Sequence, residues 1–192
     1  MSAASDLATA LALFSQWLTD AELAGIIEPS AMALATASKT DSPSVRMVLL
    51  KQFDDRGFTF YTNLGSRKAS EIAENRCVAL LFSWPELGRE VHITGHVEPL
   101  DAAEAEAYFA SRPIHSRIGA WASRQSRPLS NRFVLLCRFA RFAVIAASGQ
   151  LKCPIFWSGF RVIPDEISFW DDGDVQMFSN PTASPNPSMI EA

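Results

Sequence analysis

Apolar residues along the chain change period several times, and each change marks an element. Leu7, Leu11, Phe14 and Leu18 repeat at three and four, which predicts a helix over 5–24, capped by Ser5, with one apolar stripe. Pro29-Ser30 ends that approach, and Ala31–Ala37 has the composition of a first strand. Residues 46–51 alternate, with Arg46, Val48 and Leu50 on one face and Met47, Leu49 and Lys51 on the other. Asp54-Asp55-Arg56-Gly57 carries turn chemistry and 58–62 is aromatic and β-prone, so these two strands are expected to pair as a hairpin. A short helix over 68–75 follows. Cys77–Trp84 is almost continuously apolar, as expected of a strand buried on both faces, and Pro85-Glu86-Leu87-Gly88 turns the chain. Over 90–98, Val91, Ile93, Gly95 and Val97 alternate with Glu90, His92, Thr94, His96 and Glu98, the pattern of a half-exposed strand.

Asp101 and Glu104 have the spacing of a capping box for a helix to Ala110, which Pro113 stops. Residues 114–126 read as a short helix and loop. Residues 133–147 are apolar on nearly every side, interrupted only by Arg138 and Arg141, which predicts a helix covered within the chain or between subunits. Two short strands are expected at 161–163 and 167–170, with a turn at 171–174. From Asn180 the sequence holds three prolines and little to bury, so 180–192 is expected to be a disordered tail. Hairpin-ordered strands with helices between and after them predict a single domain over 1–179, an antiparallel β-barrel with helical additions (α+β).

Composition adds bounds. A chain of 192 residues, 48% hydrophobic and 20% charged, can bury a core of its own. Its three cysteines form no CxxC pair and no metal-ligand spacing, so they read as thiols in a reducing compartment, the cytosol. The first residues lack a basic n-region and carry Asp6, so Leu7–Leu18 is not expected to be a signal peptide, and no charge-free span reaches membrane length. His92 and His96 lie two pleats apart on a polar face, too far to share a metal, and no metal site is expected. The net charge of −4 argues against general nucleic-acid binding. The charge is nevertheless uneven: between Glu106 and Asp165 there is no acidic residue, while Arg112, Arg117, Arg124, Arg127, Arg132, Arg138, Arg141, Lys152 and Arg161 fall inside that interval. Such asymmetry fits either an anionic ligand or a solvated basic face.

The densest candidate chemistry lies at 46–68. Asn63-Leu64-Gly65-Ser66 leads into Arg67 and Lys68 at the start of a helix, where unpaired N–H groups and the positive dipole end favour a phosphate. The same pattern would also serve a capped surface helix carrying two solvated cations.

Six segments, RMVLLK (46–51), FYTNLGSRK (60–68), LLFSWPEL (80–87), YFASRP (108–113), IGAWASRQS (118–126) and FWSGFRV (156–162), resemble in order and spacing the signature segments of the pyridoxamine 5′-phosphate oxidase family. The resemblance implies an antiparallel split β-barrel homodimer with FMN at the subunit interface. It implies oxidation of pyridoxamine or pyridoxine 5′-phosphate to pyridoxal 5′-phosphate, with oxygen as electron acceptor. It further implies Arg46, Lys51, Tyr61, Thr62, Arg67, Lys68, Gln125, Ser126 and Trp170 as cofactor contacts, with Arg46, Arg67, Lys68 and Ser126 at the FMN phosphate. Lys51, Tyr108, Arg112 and Ser116 match the grip on the substrate phosphate. The flavin would supply the redox chemistry and the protein position and charge.

The chain departs from the family pattern in places. Glu90 stands where the family carries Gln, and Gln176, Phe178 and Asn180 stand at its Arg-x-His-x-Arg segment, which covers the substrate ring and contacts FMN. Those three roles do not carry over, nor does the strand that closes the family's fold after them. Both phosphate anchors persist and the cover over the ring does not, a change that costs turnover more than binding. Two other readings stand beside the oxidase: a protein that binds FMN or pyridoxal phosphate without turning over, and a barrel whose apolar 133–147 helix serves an interaction.

Overall fold

The computed structural model describes residues 3–123 and 131–180. Eight strands form one antiparallel sheet: β1 (Ala31–Ala37), β2 (Pro43–Leu49), β3 (Gln52–Asp54), β4 (Gly57–Asn63), β5 (Cys77–Trp84), β6 (Arg89–Pro99), β7 (Trp157–Asp171) and β8 (Asp174–Ser179). Their order is β2-β1-β5-β6-β7-β4-β3, with β8 added on β7, and the sheet curls into a split barrel. Helices α1 (Ala3–Leu23), α2 (Arg67–Glu74), α3 (Ala102–Ser111), α4 (Ile114–Ala122) and α5 (Arg132–Ala147) complete the described residues.

The core lies inside the curl. Alternate residues of β1, β5 and β6, among them Met32, Leu34, Leu80, Phe82, Val91 and Ile93, are buried there. Helix α1 closes it: Phe14 meets Phe53, Phe58 and Phe82 edge-on at centroid distances of 4.9, 5.1 and 4.9 Å. Such T-shaped contacts bring the positive edge of one ring to the negative face of the next. The buried line of α1 is Ala10, Phe14, Trp17 and Ala21, whereas Leu7, Leu11 and Leu18 pack only partly at its margins. The expected leucine stripe is therefore turned aside, because the small alanines let the helix approach the barrel closely.

Several expectations change. Of residues 46–51 only Lys51 meets the strand at 58–62, its N–H donating to Thr59 O at 2.9 Å: β2 pairs with β1, and the hairpin across Asp55 and Arg56 joins β3 to β4. The break comes at Leu50, whose N–H donates to Ser30 O and whose side chain turns into the core. The strand β5 is buried on one face only, since Cys77 and Ser83 are exposed. The two short strands expected at 161–163 and 167–170 are parts of one fifteen-residue strand, β7. Helix α5 packs on α4, where Trp121 meets Phe142 at 5.2 Å, and otherwise shows its apolar residues to solvent in the monomer, with Phe133 67% and Val144 74% exposed. Its expected cover is not supplied by the described residues of its own chain. Of the anticipated tail at 180–192, Asn180 is described and donates to Asp165 O and Pro164 O, and 181–192 lies outside the described residues, whereas 174–179, for which no element was expected, forms β8.

The strand β7 carries a bulge: Thr94 and Gly95 of β6 face Glu166 and Pro164, which leaves Asp165 of β7 as the extra residue between them. Proline has no N–H for a ladder, and a bulge is where a sheet tolerates it. A Cβ on Gly95 would lie 2.1 Å from Ile163 O. Gly95→Ala is therefore expected to destabilise the fold by about 1–3 kcal/mol, the usual cost of overpacking, read as a lower urea midpoint; an unchanged midpoint would contradict the close approach.

Candidate functional site

The loop before α2 is fixed by its own backbone. Asn63 Oδ1 accepts from Gly65 N at 2.8 Å, Ser66 N donates to Asn63 O at 3.0 Å, and Leu64 N donates to Phe156 O at 2.7 Å. Ser66 sits at the N-cap but makes no side-chain capping bond. Its buried hydroxyl instead accepts from Lys68 Nζ at 3.4 Å, and Lys68 Nζ also donates to Thr62 Oγ1 at 3.1 Å. Burial, and secondly the charge of Arg46, lowers the Lys68 pKa. The helix start is thus a cationic corner rather than a simple capped surface helix.

Behind that corner lies a carboxylate which the sequence reading passed over. Glu71, on α2, is 5% exposed. Its Oε2 accepts from Thr36 Oγ1 at 2.5 Å, Ser44 Oγ at 2.5 Å and Arg46 Nη2 at 3.1 Å, and its Oε1 accepts from Arg67 Nε at 2.7 Å. Burial by itself would raise its pKa, but the hydrogen bonds from Ser44, Thr36, Arg67 and Arg46 outweigh it and hold the carboxyl at about 2. Arg46 is fixed further by Nη1 donating to Leu34 O at 3.1 Å and to Thr36 Oγ1 at 2.6 Å, and by Nη2 donating to Ser44 Oγ.

A cleft of about 420 Å³ opens beside this corner. Lys51, Tyr61, Thr62, Lys68, Tyr108, Arg112 and Ser116 all line it, and no carboxylate does among the described residues. The strand β4 supplies Tyr61 and Thr62, α2 supplies Lys68, and α3 with the residues after it supplies Tyr108, Arg112 and Ser116. Tyr61 stacks on Tyr108 at 4.0 Å and 9° and on Trp157 at 5.1 Å and 5°, so three rings share one orientation. Arg112 lies 5.0 Å from the centroid of Trp157, a cation–π contact that holds its head at the wall. Burial lowers the Arg112 pKa and pushes the Tyr61 hydroxyl up to about 12. Tyr61 Oη and Arg112 Nη1 are buried without a hydrogen-bond partner among the described residues. Unpartnered donors, three cations and flat aromatic walls fit a ligand that joins phosphate to a planar ring.

The other expected site residues fall elsewhere. Arg46 and Arg67 meet at Glu71, next to the cleft rather than among its lining residues. Gln125 and Ser126 lie outside the described residues. Trp170 is at the far end of β7, 42% exposed, with its ring 5.7 Å from that of His92. Glu90 is ionised there: the hydrogen bond from His92 at 3.1 Å, aided by Ser83 at 3.1 Å, lowers its pKa against the effect of burial. His96 pairs with Asp165 at 3.3 Å. On β8, Phe178 packs edge-on against Phe169 at 5.7 Å, and Asn180 Nδ2 donates to Pro164 O at 2.9 Å. Neither belongs to the cleft, and Gln176 is exposed beside them.

Trp157 and Glu71 were missed for different reasons. Trp157 lay in a segment already singled out, but only the fold stacks it on Tyr61. The spacing of Arg67 and Glu71 by one helical turn was legible, whereas the meeting with Arg46 on another element was not.

Fold and site define an antiparallel split barrel with a cationic, aromatic-walled cleft. The chain belongs to the pyridoxamine 5′-phosphate oxidase family, whose sequence model matches residues 18–146. It is 49% identical over 165 residues to the pyridoxine/pyridoxamine 5′-phosphate oxidase of Allorhizobium ampelinum, covering 86% of this chain and 80% of that protein. It is 53% identical over 161 residues to the enzyme of the same name from Bartonella henselae, covering 84% and 78%. Among solved structures, PhzG from Burkholderia lata 383, in complex with tetrahydrophenazine-1-carboxylic acid, is similar with a TM-score of 0.80 and 29% identity, covering 88% of this chain and 90% of that one. A pyridoxamine 5′-phosphate oxidase-related, FMN-binding protein from Nostoc punctiforme shares the fold at a TM-score of 0.63 and 10% identity, covering 84% and 91%.

Glu71 makes stability depend on acid. Its folded pKa of about 2 lies below the ordinary 4.5, so the unfolded chain takes up the proton first as pH falls. The stabilisation is complete above that window and is lost on descending through it. Glu71→Gln is expected to lower the urea midpoint at neutral pH and to flatten its decline from pH 4.5 to 2; parallel pH profiles would remove the assignment.

Proposed function

We propose that the protein is an FMN-dependent oxidase of pyridoxamine 5′-phosphate or pyridoxine 5′-phosphate, forming pyridoxal 5′-phosphate with oxygen as electron acceptor. The observation that carries this reading is the convergence of Lys51, Tyr108, Arg112 and Ser116 on one cleft with Thr62 and Lys68. Lys51, Arg112 and Ser116 would grip the substrate phosphate by charge-assisted hydrogen bonds, with Tyr108 supplying a hydroxyl and a flat face. Lys68, Arg67 and Arg46 would hold the FMN phosphate at the start of α2, with Tyr61 and Thr62 along the flavin and Gln125 and Ser126 completing the site. When bound, FMN would supply two-electron redox chemistry, taking the electrons of the substrate's C4′–H bond and passing them to oxygen as peroxide; with the alcohol the hydroxyl proton would be lost, and with the amine the resulting imine would be hydrolysed by water with release of ammonia. The protein's part is position and field: it fixes two anions by their phosphates, so that binding energy remote from the reacting carbon sets the rings against each other.

The reading includes a homodimer with FMN at the interface, working in the cytoplasm. A second copy accounts for two features of the monomer. It would bring Trp170 of the partner subunit to the cofactor, and it would cover Val45 and Met47, 68% and 65% exposed on β2.

The character of β8 favours a second reading, a binding protein with lost or altered turnover. Phe178 is spent on core packing and Asn180 on the β7 bulge, so neither brings a cation or an imidazole to the substrate ring. Anaerobic mixing of the FMN-loaded protein with either phosphorylated substrate separates the two. Bleaching of the flavin band is the oxidase result, and bound flavin that stays oxidised with both compounds is the other. Arg67→Ala is expected to weaken FMN binding by about 1.5–3 kcal/mol, the range for a hydrogen bond to a charged group, measured by flavin fluorescence titration. Arg112→Ala is expected to raise KM for pyridoxamine 5′-phosphate by about tenfold to a hundredfold with FMN affinity unchanged; loss of FMN affinity instead would move Arg112 to the cofactor.

A further inference from the structure

We infer that Glu71 is a positioning residue for the cofactor phosphate: it holds the side chains of Arg46 and Arg67 in place before the anion arrives. The inference rests on the reading of the cleft as an FMN site and concerns how that site is built.

Arg46 comes from β2 and Arg67 from the first turn of α2, so no local rule of either element brings their heads together. The Glu71 carboxylate does so, with one oxygen on Arg46 Nη2 and the other on Arg67 Nε. Thr36 and Ser44 complete the set by donating to the oxygen that also receives Arg46. Each hydroxyl in turn accepts from Arg46, Thr36 through Nη1 and Ser44 through Nη2. With Leu34 O as a further acceptor, both terminal nitrogens of Arg46 are committed to the protein, leaving Nε–H as the donor outside the network. Arg46 therefore acts on an anion chiefly through its charge. That charge reaches the cleft, since it lowers the pKa of Lys68, which lines it.

Arg67 is the more exposed of the two arginines. Its side chain is 63% exposed, against 20% for Arg46, and Glu71 restrains it at Nε. Without that restraint, a long side chain would have to be ordered when phosphate binds, at a cost of about a few-fold in affinity per side chain. Two like charges would also face each other without the carboxylate between them. Glu71 thus removes before binding two costs that would otherwise fall on the ligand.

Its negative charge works in the opposite direction, because a carboxylate near a phosphate repels it. Glu71→Asp separates the two effects, keeping the charge and shortening the side chain by one methylene so that it no longer spans Thr36, Ser44 and both arginines. The readout is the dissociation constant for FMN beside that for riboflavin, which has the same ring and side chain without the phosphate. Glu71→Asp is expected to weaken FMN by about tenfold and to leave riboflavin within about twofold. Equal losses for both flavins, no change in either, or tighter FMN binding would overturn the inference. Should Glu71→Asp fail to fold, Ser44→Ala removes a partner of both Glu71 and Arg46, and the same selective loss of FMN is required of it. A wild-type protein that does not prefer FMN to riboflavin would overturn the FMN reading itself. A wild-type preference retained in full by the variants would overturn the positioning role alone.

Discussion

A strand of fifteen residues, β7, must find hydrogen-bond partners along its whole length, and that requirement organises the barrel. It pairs with β6 from Phe160 onward, with β4 over Trp157 to Val162 and with β8 over Glu166 to Asp171. The shared strand sets Trp157 at one end, against Tyr61 and Arg112, and Trp170 at the other, against His92. At the β7 bulge the carbonyls of Pro164 and Asp165 are taken by Asn180. Asn180 thus has a structural use here.

Charge is organised just as economically. The acid-free stretch of sequence contributes Arg112 and Ser116 to a cleft whose other cations, Lys51 and Lys68, come from the β2–β3 link and α2, and among the described residues none that lines it is acidic. The nearest carboxylate identified among the site's hydrogen bonds, Glu71, is buried behind the cationic corner and neutralised by four donors. A cleft so arranged presents positive charge outward while the protein's own negative charge is consumed inside. The net charge of −4 is therefore a poor guide to what the molecule binds.

The losses at the C-terminus have a physical pattern. Phe178 has joined the apolar core, where an ionisable side chain would need a partner, and Gln176 remains exposed on the same edge strand. Lys51, Lys68, Tyr108, Arg112 and Ser116 line the cleft, and neither Gln176 nor Phe178 is among its lining residues.

The sequence by itself determined the strands with clean alternation, above all β1 and β6, the fold class, and the cleft residues carried by its signature segments. Those features follow from local periodicity or from residue types whose chemistry is the same wherever they stand. It did not determine which strands pair, since 46–51 and 58–62 look like a hairpin until Leu50 turns into the core and β2 closes on β1. Nor did it determine that Phe14, rather than the leucines beside it, would be the ring on which the barrel closes. Glu71 looked like one more charge on a surface helix. Only the tertiary structure decided that it would be buried against Arg46, because an ion pair across two elements depends on the packing of the strands and helix between them.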